Sequence, residues 1–230
     1  MARTGGARTA AAAGLLAALL GLAAPAAAQA PTVDVPVTFS VRSLLPGAAF
    51  SVTGTLPGGT ADAGRALELY EQRAPFPAAY ALASTGAAGA AGEFTFTVSP
   101  VRKAYWAVVA PPTATRPREA STGFLVAVRR KVSIRTSTRR PRKATLVRFS
   151  GFVSPSFPLG PDSVATLQRR NARGGFDNVR SVRLRAAGAF SSYRLRLRLG
   201  VSGVFRVVVP SSTLFSTGAS VAVTLRIRRR

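Results

Sequence analysis

The sequence contains no cysteine and no histidine, and only eight of its 230 residues are aspartate or glutamate. Without cysteine there is no disulfide, thiolate nucleophile or cysteine-ligated metal site. Without histidine there is no Ser–His or Cys–His catalytic arrangement and no zinc site of the usual kind. No P-loop, dinucleotide fingerprint or Gly-x-Ser-x-Gly elbow is present. We therefore expect a protein that is not an enzyme and that has no cofactor and no metal site.

The first thirty residues have the order of a secretory signal. Arg3 and Arg8 precede an uncharged stretch over 10–28 that is rich in alanine and leucine and contains Pro25. This order predicts a signal peptide over 1–28, cleaved after Ala28, and a secreted or extracellular protein that could stay associated with the cell surface. The alternative is an uncleaved anchor, because the stretch approaches the ~20 residues that span a bilayer. No later segment is apolar enough to span a membrane.

The rest of the chain carries an internal repeat. The clearest match is Ser-Thr-Gly-Phe-Leu-Val-Ala-Val at 121–128 against Ser-Thr-Gly-Ala-Ser-Val-Ala-Val at 216–223, an offset of 95. Four further landmarks follow the same order at offsets of 96 to 99: 50–54 with 147–151, 67–69 with 165–167, 92–94 with 188–190, and 106–108 with 205–207. A unit of about 95 residues is therefore predicted to occur twice.

Each unit has the pattern of a β-sandwich. Apolar residues alternate at period two, as in Phe94-Thr95-Phe96-Thr97-Val98, and the short runs are separated by Gly and Pro. About seven short strands in such a length are typical of an immunoglobulin-like (Ig-like) sandwich. The predicted fold class is all-β, with two tandem Ig-like β-sandwich domains at 33–128 and 132–230 after the signal segment.

Short motifs recur in both units. They are Gly54-Thr55-Leu56-Pro57 and Gly151-Phe152-Val153-Ser154-Pro155, Leu67 to Gln72 and Leu167-Gln168-Arg169, Gly92-Glu93-Phe94 and Gly188-Ala189-Phe190, and Trp106-Ala107-Val108 and Phe205-Arg206-Val207. This set resembles the tandem Ig-like repeats of secreted actinobacterial proteins. The resemblance covers about 33–230 and implies an exported, non-catalytic scaffold, without any binding residues.

The positive charge lies almost entirely in the second unit. Residues 31–128 contain seven basic and six acidic side chains, whereas residues 129–230 contain 23 basic and two acidic ones, out of a formal net charge of +24. A genome-wide preference for arginine would act on both units. It therefore explains why the basic residues are arginine rather than lysine better than it explains why they lie in the second unit.

Arginines in the second unit follow the strand period. Arg194, Arg196 and Arg198 alternate with leucines, and Arg183 and Arg185 flank Leu184. If the leucines face the core, these five arginines face solvent and form a stripe that repels itself unless an anion covers it. One inconsistency remains, because the same alternation would put Phe190 on the face of Arg194. We therefore expect a bulge or bend at Ser191-Ser192.

Arg183, Arg185, Arg194, Arg196 and Arg198 are thus a hypothetical polyanion-binding site. Partners considered are an anionic cell-wall polymer, an acidic polysaccharide or a phospholipid surface. Nucleic acid is disfavoured as the intended ligand because the protein is predicted to be exported and lacks an evident stacking platform. The stripe could equally be a solvated surface. The sequence leaves the oligomeric state open.

Three functions are compatible with these features. The first is an exported structural or adhesive module, held at the cell surface by its basic second domain. The second is a soluble extracellular protein with a specific ligand, which would show a concave, polar-lined pocket. The third is an enzyme, which would need a carboxylate pair within ~10 Å at a cleft.

Overall fold

The computed structural model describes residues 33–76, 79–158, 160 and 163–228, so the predicted signal peptide lies outside the described residues. Apart from one turn of 3-10 helix at Gly59–Asp62, every regular element in these ranges is a β-strand. The prediction of an all-β chain is confirmed. No helix within the described ranges is long and apolar enough to cross a membrane.

The first lobe, residues 33–128, is built from two sheets. Its strands are β1 (Val33–Asp34), β2 (Val37–Phe39), β3 (Ser43–Leu44), β4 (Phe50–Thr55), β5 (Ala66–Arg73), β6 (Ala81–Ala87), β7 (Glu93–Val98), β8 (Ala104–Ala110), β9 (Glu119–Ala120) and β10 (Phe124–Val128). One sheet has the order β2-β4-β7. In the other, β8 lies between β5 and β10, with β6 beside β5, β3 beside β10 and β9 joining β1 to β8.

The second lobe, residues 131–228, repeats this arrangement. Its strands are β11 (Lys131–Val132), β12 (Arg135–Thr136), β13 (Leu146–Ser154), β14 (Val164–Arg170), β15 (Phe176–Arg183), β16 (Arg185–Ala187), β17 (Phe190–Arg198), β18 (Gly203–Val209), β19 (Gly218–Ala219) and β20 (Val223–Leu225). In one sheet β13 lies between β17 and the short strands β11 and β12, and β16 forms the edge beyond β17. The other has the order β15-β14-β18, with β19 and β20 beside β18.

Both lobes have the Ig-like connectivity predicted from the sequence, because consecutive strands leave one sheet for the other and return. Each lobe has its own core. Phe50, Leu69 and Trp106 are buried in the first, and Phe149, Leu167 and Phe205 are buried in the second. The inward side chains alternate with exposed ones along the central strands, as strand geometry requires.

The strand pairing corrects two of the repeat landmarks. Phe124 lies opposite Trp106 in the first lobe, and Val223 lies opposite Phe205 in the second, so the last strands match at an offset of 99. The string shared by 121–128 and 216–223, at an offset of 95, is therefore out of register with the structure. Pairing with β4 and β13 likewise makes Tyr193, rather than Phe190, the equivalent of Phe94.

The predicted bulge at Ser191-Ser192 is wrong. Strand β17 pairs with β13 without a register shift from Ser191 to Arg198. Phe190 faces outward and packs against the exposed ring of Phe152, with ring centroids 4.8 Å apart. The inward positions belong to Ser191, Tyr193 and Leu195, which are buried. The Gly-x-Phe context of Phe190 matches that of the core residue Phe94, but the strand pairing gives that core position to Tyr193.

A three-residue insertion in the second lobe builds strand β16. Gly86 matches Val182 through their pairing with β5 and β14, and Phe94 matches Tyr193, so the insertion falls between these positions. Strand β16 pairs with β17 through Arg185 opposite Ser192. No strand stands at this edge beside β7 in the described part of the first lobe. The insertion therefore widens the sheet that carries most of the predicted arginines.

Candidate polyanion-binding site

The outer face of the β13–β17 sheet carries an arginine ladder, which we define as Arg148, Arg194, Arg196 and Arg198. All four side chains are exposed, while the leucine between Arg194 and Arg196 is buried. Arg148 on β13 lies directly opposite Arg196 on β17. Arg194 lies opposite Ser150, and Ser150 also pairs with Arg135 of β12. The sheet thus holds cationic side chains on neighbouring strands, whose backbones lie about 4.8 Å apart.

Arg183 and Arg185 belong to different sheets. Arg183 ends β15 and pairs with Val164, whereas Arg185 begins β16 and pairs with Ser192. The residue between them, Leu184, is buried where the chain crosses from one sheet to the other. The two arginines are therefore not on one strand, as the alternation suggested, but both reach the same surface groove.

This arginine groove has a volume of about 520 Å³. It is lined by Arg135, Ser150, Gly151, Phe152, Val182, Arg183, Arg185, Ser192, Tyr193 and Arg194. Four of these residues are arginines, and none of the described lining residues is a carboxylate. The groove combines guanidinium groups, serine hydroxyls and one half-exposed phenyl ring, which suits an anionic ligand that also has apolar surface.

The groove gathers three of the five predicted arginines, namely Arg183, Arg185 and Arg194. Arg196 and Arg198 lie further along β17, on the same outer face. Sequence reasoning missed Arg135 and Arg148. Arg148 had a readable signal, because it alternates with the buried Val147 and Phe149. Arg135 had none, since its strand is two residues long and its position follows from pairing with β13.

The first lobe shows that the fold does not require arginine at these positions. Matching the pairings of β2, β4 and β7 with those of β12, β13 and β17 makes Thr38 the equivalent of Arg135. By the same pairings, Ser51 is the equivalent of Arg148, Thr95 of Arg194, and Thr97 of Arg196. Four hydroxyl side chains of one outer face are thus replaced by four guanidinium groups in the other.

The second lobe has little internal compensation for its charge. Every ion pair between described residues lies in the first lobe, where the buried Arg65 contacts Asp62 at 3.2 Å and Glu119 at 3.0 Å. In the second lobe, Asp177 accepts a hydrogen bond from the amide of Asn171 at 3.0 Å. The ladder and groove therefore hold their charge on a surface with no described carboxylate partner, where salt or an external anion would screen it.

One arginine, at the junction between the two lobes, is buried and serves a structural role. Arg130, only 2% exposed, stacks between the rings of Phe157 and Phe215, with its Cζ 4.2 and 4.3 Å from their centroids. Its Nη1 donates to the Oγ of Ser212 at 3.1 Å. Burial lowers the pKa of Arg130 to about 10, so it stays charged at neutral pH. Lys103 of the first lobe donates its Nζ hydrogen to the carbonyl of Ser212 at 3.0 Å.

Tyr193 supports the floor of the arginine groove. Its ring is buried beneath β17, and its hydroxyl donates to the carbonyl oxygen of Ser133 at 2.6 Å. Burial raises the pKa of the Tyr193 phenol well above its ordinary value of 10.0. The tyrosine fits because Gly151 has no side chain: a Cβ there would collide with the Ser133 carbonyl and the Tyr193 hydroxyl.

No cluster of three or more carboxylates that could hold a metal ion occurs among the described residues. The strand pairing, the separate cores and the outward arginines define this part of the chain as two Ig-like β-sandwiches, one nearly neutral and one strongly basic.

No protein-family model matches the sequence, and no curated protein sequence matches it. Red sea bream transglutaminase is similar in structure, with 11% identity and a TM-score of 0.48 over 86% of this chain and 32% of that chain. The D0-D1 domain of intimin shows 12% identity and a TM-score of 0.32 over 84% of this chain and 100% of that chain.

Proposed function

We propose that this protein is an exported, non-catalytic adhesive module whose second lobe binds an anionic polymer of the cell surface. The observation that carries the proposal is the contrast between the two lobes. The same scaffold has Thr38, Thr95 and Thr97 on one outer face and Arg135, Arg194 and Arg196 on the other. Neither the fold nor a general preference for arginine accounts for a difference confined to one lobe.

The chemistry of the surface agrees with this function. Guanidinium groups form paired hydrogen bonds with carboxylate, sulfate and phosphate. Like charges directly opposite on neighbouring strands, as at Arg148 and Arg196, destabilise a sheet by up to about 1 kcal/mol, so an anion laid across them gains from relieving that repulsion. Binding of this kind would depend strongly on salt and weakly on the exact sequence of the polymer.

Binding to immobilised polygalacturonate tests the proposal. The purified chain should be retained at low ionic strength and released by salt. The triple variant Arg135→Thr, Arg194→Thr, Arg196→Thr, which installs the residues of the first lobe, should bind about tenfold more weakly or worse, equivalent to about 1.4 kcal/mol. The matched control is Arg169→Thr, Arg170→Thr, Arg173→Thr, which removes the same charge in or beside the other sheet. Absence of retention, or equal losses in both variants, would contradict the proposal.

A soluble protein with a specific small ligand is the second candidate, and the concave groove of about 520 Å³ favours it. Such a ligand would be held by the groove arginines and would not need Arg196 or Arg198. Saturable binding of a mono- or disaccharide acid that survives high salt would support this candidate over the polymer.

A further inference from the structure

A second basic surface lies at the end of the same lobe. Two segments are held side by side there. The amide of Arg226 donates to the carbonyl of Arg139 at 3.0 Å, and the amide of Arg228 donates to the carbonyl of Pro141 at 2.9 Å. We define the end cluster as the six exposed cations that this pairing brings together. They are Arg139, Arg140, Arg142, Lys143, Arg226 and Arg228.

The end cluster continues directly from the arginine ladder. Leu199, the residue after β17, exchanges backbone hydrogen bonds with 144–145: the Ala144 amide donates to the Leu199 carbonyl at 2.8 Å, and the Leu199 amide to the Thr145 carbonyl at 3.2 Å. Arg198 lies opposite Leu146 at the same end of the sheet. Cationic side chains therefore follow one another from the arginine groove along β17 to the end cluster, and we call this row of side chains the track.

The length of this track distinguishes a polymer from a small ligand. From Ser192, opposite Arg185 in the groove, to Leu199, beside the end cluster, the chain advances seven residues, or about 23 Å at 3.3–3.4 Å per residue. A ligand confined to the groove would leave the cations beyond Arg194 uncovered. A linear chain lying along β17 would cover the groove, the ladder and the end cluster together.

The other end of the groove indicates the chemistry of that chain. Phe152 and Phe190 are 46% and 38% exposed and meet edge to face beside the groove arginines. The apolar face of a sugar ring packs well on such a phenyl surface, while its carboxylate pairs with a guanidinium group. A polyphosphate offers anions but no apolar face.

We propose, resting on the function proposed above, that the ligand is a linear acidic polysaccharide lying along β17, with its sugar rings on Phe152 and its far end on the end cluster. This assigns a binding role to Arg139, Arg142, Arg226 and Arg228, outside the groove. Because the ligand must span about 23 Å to reach from the groove to the end cluster, affinity should rise with chain length up to that span and then level off.

Calorimetric titration of the full chain with oligogalacturonates of two to twelve units, at low ionic strength, tests the assignment. The variant Arg139→Thr, Arg142→Thr, Arg226→Thr, Arg228→Thr should weaken octamer binding about tenfold or more beyond any change in dimer binding, which reports the loss of long-range attraction alone. Phe152→Ala should weaken the octamer about threefold or more and leave polyphosphate binding unchanged. Circular dichroism and thermal melting confirm that each variant is folded.

The outcomes separate this inference from the proposed function. If octamer binding is unaffected by the end-cluster substitutions, or if affinity is already maximal for the dimer, the ligand does not extend to the end cluster. Binding in the groove would remain supported. Two results together would overturn the assignment of a polysaccharide as the ligand. They are tighter binding of polyphosphate than of an octamer of equal length, and unchanged affinity of Phe152→Ala for both ligands. Failure of every oligomer to bind would overturn the proposed function itself.

Discussion

Arg148 and Arg196 lie directly opposite each other on neighbouring strands, with both side chains exposed and with no ion pair to either in the described part of the chain. Two guanidinium groups in this position lower the stability of the sheet, because like charges across strands repel. The corresponding pair in the first lobe is Ser51 and Thr97. The second lobe therefore retains a repulsion that the first lobe shows to be avoidable, and an anionic partner would remove it.

Replacing Arg196 with Thr should stabilise the second lobe at low salt by about 0.2–1 kcal/mol, because the substitution removes the repulsion from Arg148. The gain should shrink at about 1 M salt, where charges are screened. Urea unfolding of Arg196→Thr, Arg148→Ser and the double variant forms a cycle that isolates the pair. Purely additive effects, or a gain that does not depend on salt, would show that the two arginines do not interact.

The phenol of Tyr193 makes the second lobe sensitive to alkali. Its pKa is raised in the folded protein above the ordinary 10.0, so its contribution to stability is complete below pH 10 and is lost as the pH rises further. Tyr193→Phe should cost about 0.5–1.5 kcal/mol at neutral pH through loss of the hydrogen bond to Ser133, and should flatten the decline above pH 10. Unfolding free energies from pH 7 to 11 measure both effects. A parallel decline in both proteins would refute the assignment.

Arg130 is held by two aromatic rings rather than by a carboxylate. Its Nε and Nη2 have no hydrogen-bond partner among the described residues, so the charge is buried without full compensation. Arg130→Met, which keeps much of the volume between Phe157 and Phe215, should leave stability unchanged or improve it. Arg130→Ala should lose about 2–4 kcal/mol because it opens a cavity. Thermal unfolding of the two variants compares them, and equal losses would mean that the charge itself is required.

Gly151 is needed for the approach of Tyr193 and Ser133 beneath the groove. A Cβ at this position collides with the Ser133 carbonyl, which is backbone and moves only with the chain between β11 and β12. Gly151→Ala should therefore destabilise the lobe by about 1–3 kcal/mol and weaken polygalacturonate binding. Gly200→Ala is the control, because a Cβ at that position would meet nothing within 4 Å. Similar stability of the two variants would contradict this role.

The sequence predicted the all-β class and the outward arginines of β17 because both follow from period-two alternation within single strands. Prediction from the sequence was wrong or incomplete for features that depend on pairing between strands. Its Gly-x-Phe context matches Phe190 to Phe94, whereas pairing with β13 shows that Tyr193 takes that core position. The role of Arg135 depends on a two-residue strand, and no local pattern marks so short an element.

The end cluster could not be predicted from the sequence for the same reason. Arg139 and Arg226 are 87 residues apart in the chain and meet through one backbone hydrogen bond. Each basic segment could be seen alone, but nothing local indicates that they lie together at the end of β17. Long-range pairing of this kind sets the shape of the whole cationic surface.

A variant that moves arginines from one lobe to the other without changing their number tests the central claim most directly. It combines Arg135→Thr, Arg194→Thr and Arg196→Thr with Thr38→Arg, Thr95→Arg and Thr97→Arg, so the formal net charge stays at +24. If the placement of charge in the second lobe makes the site, affinity for an acidic polysaccharide at low salt should fall about tenfold or more, or about 1.4 kcal/mol. Unchanged affinity in a folded variant would show that total charge, and not the arginine surface of the second lobe, accounts for binding.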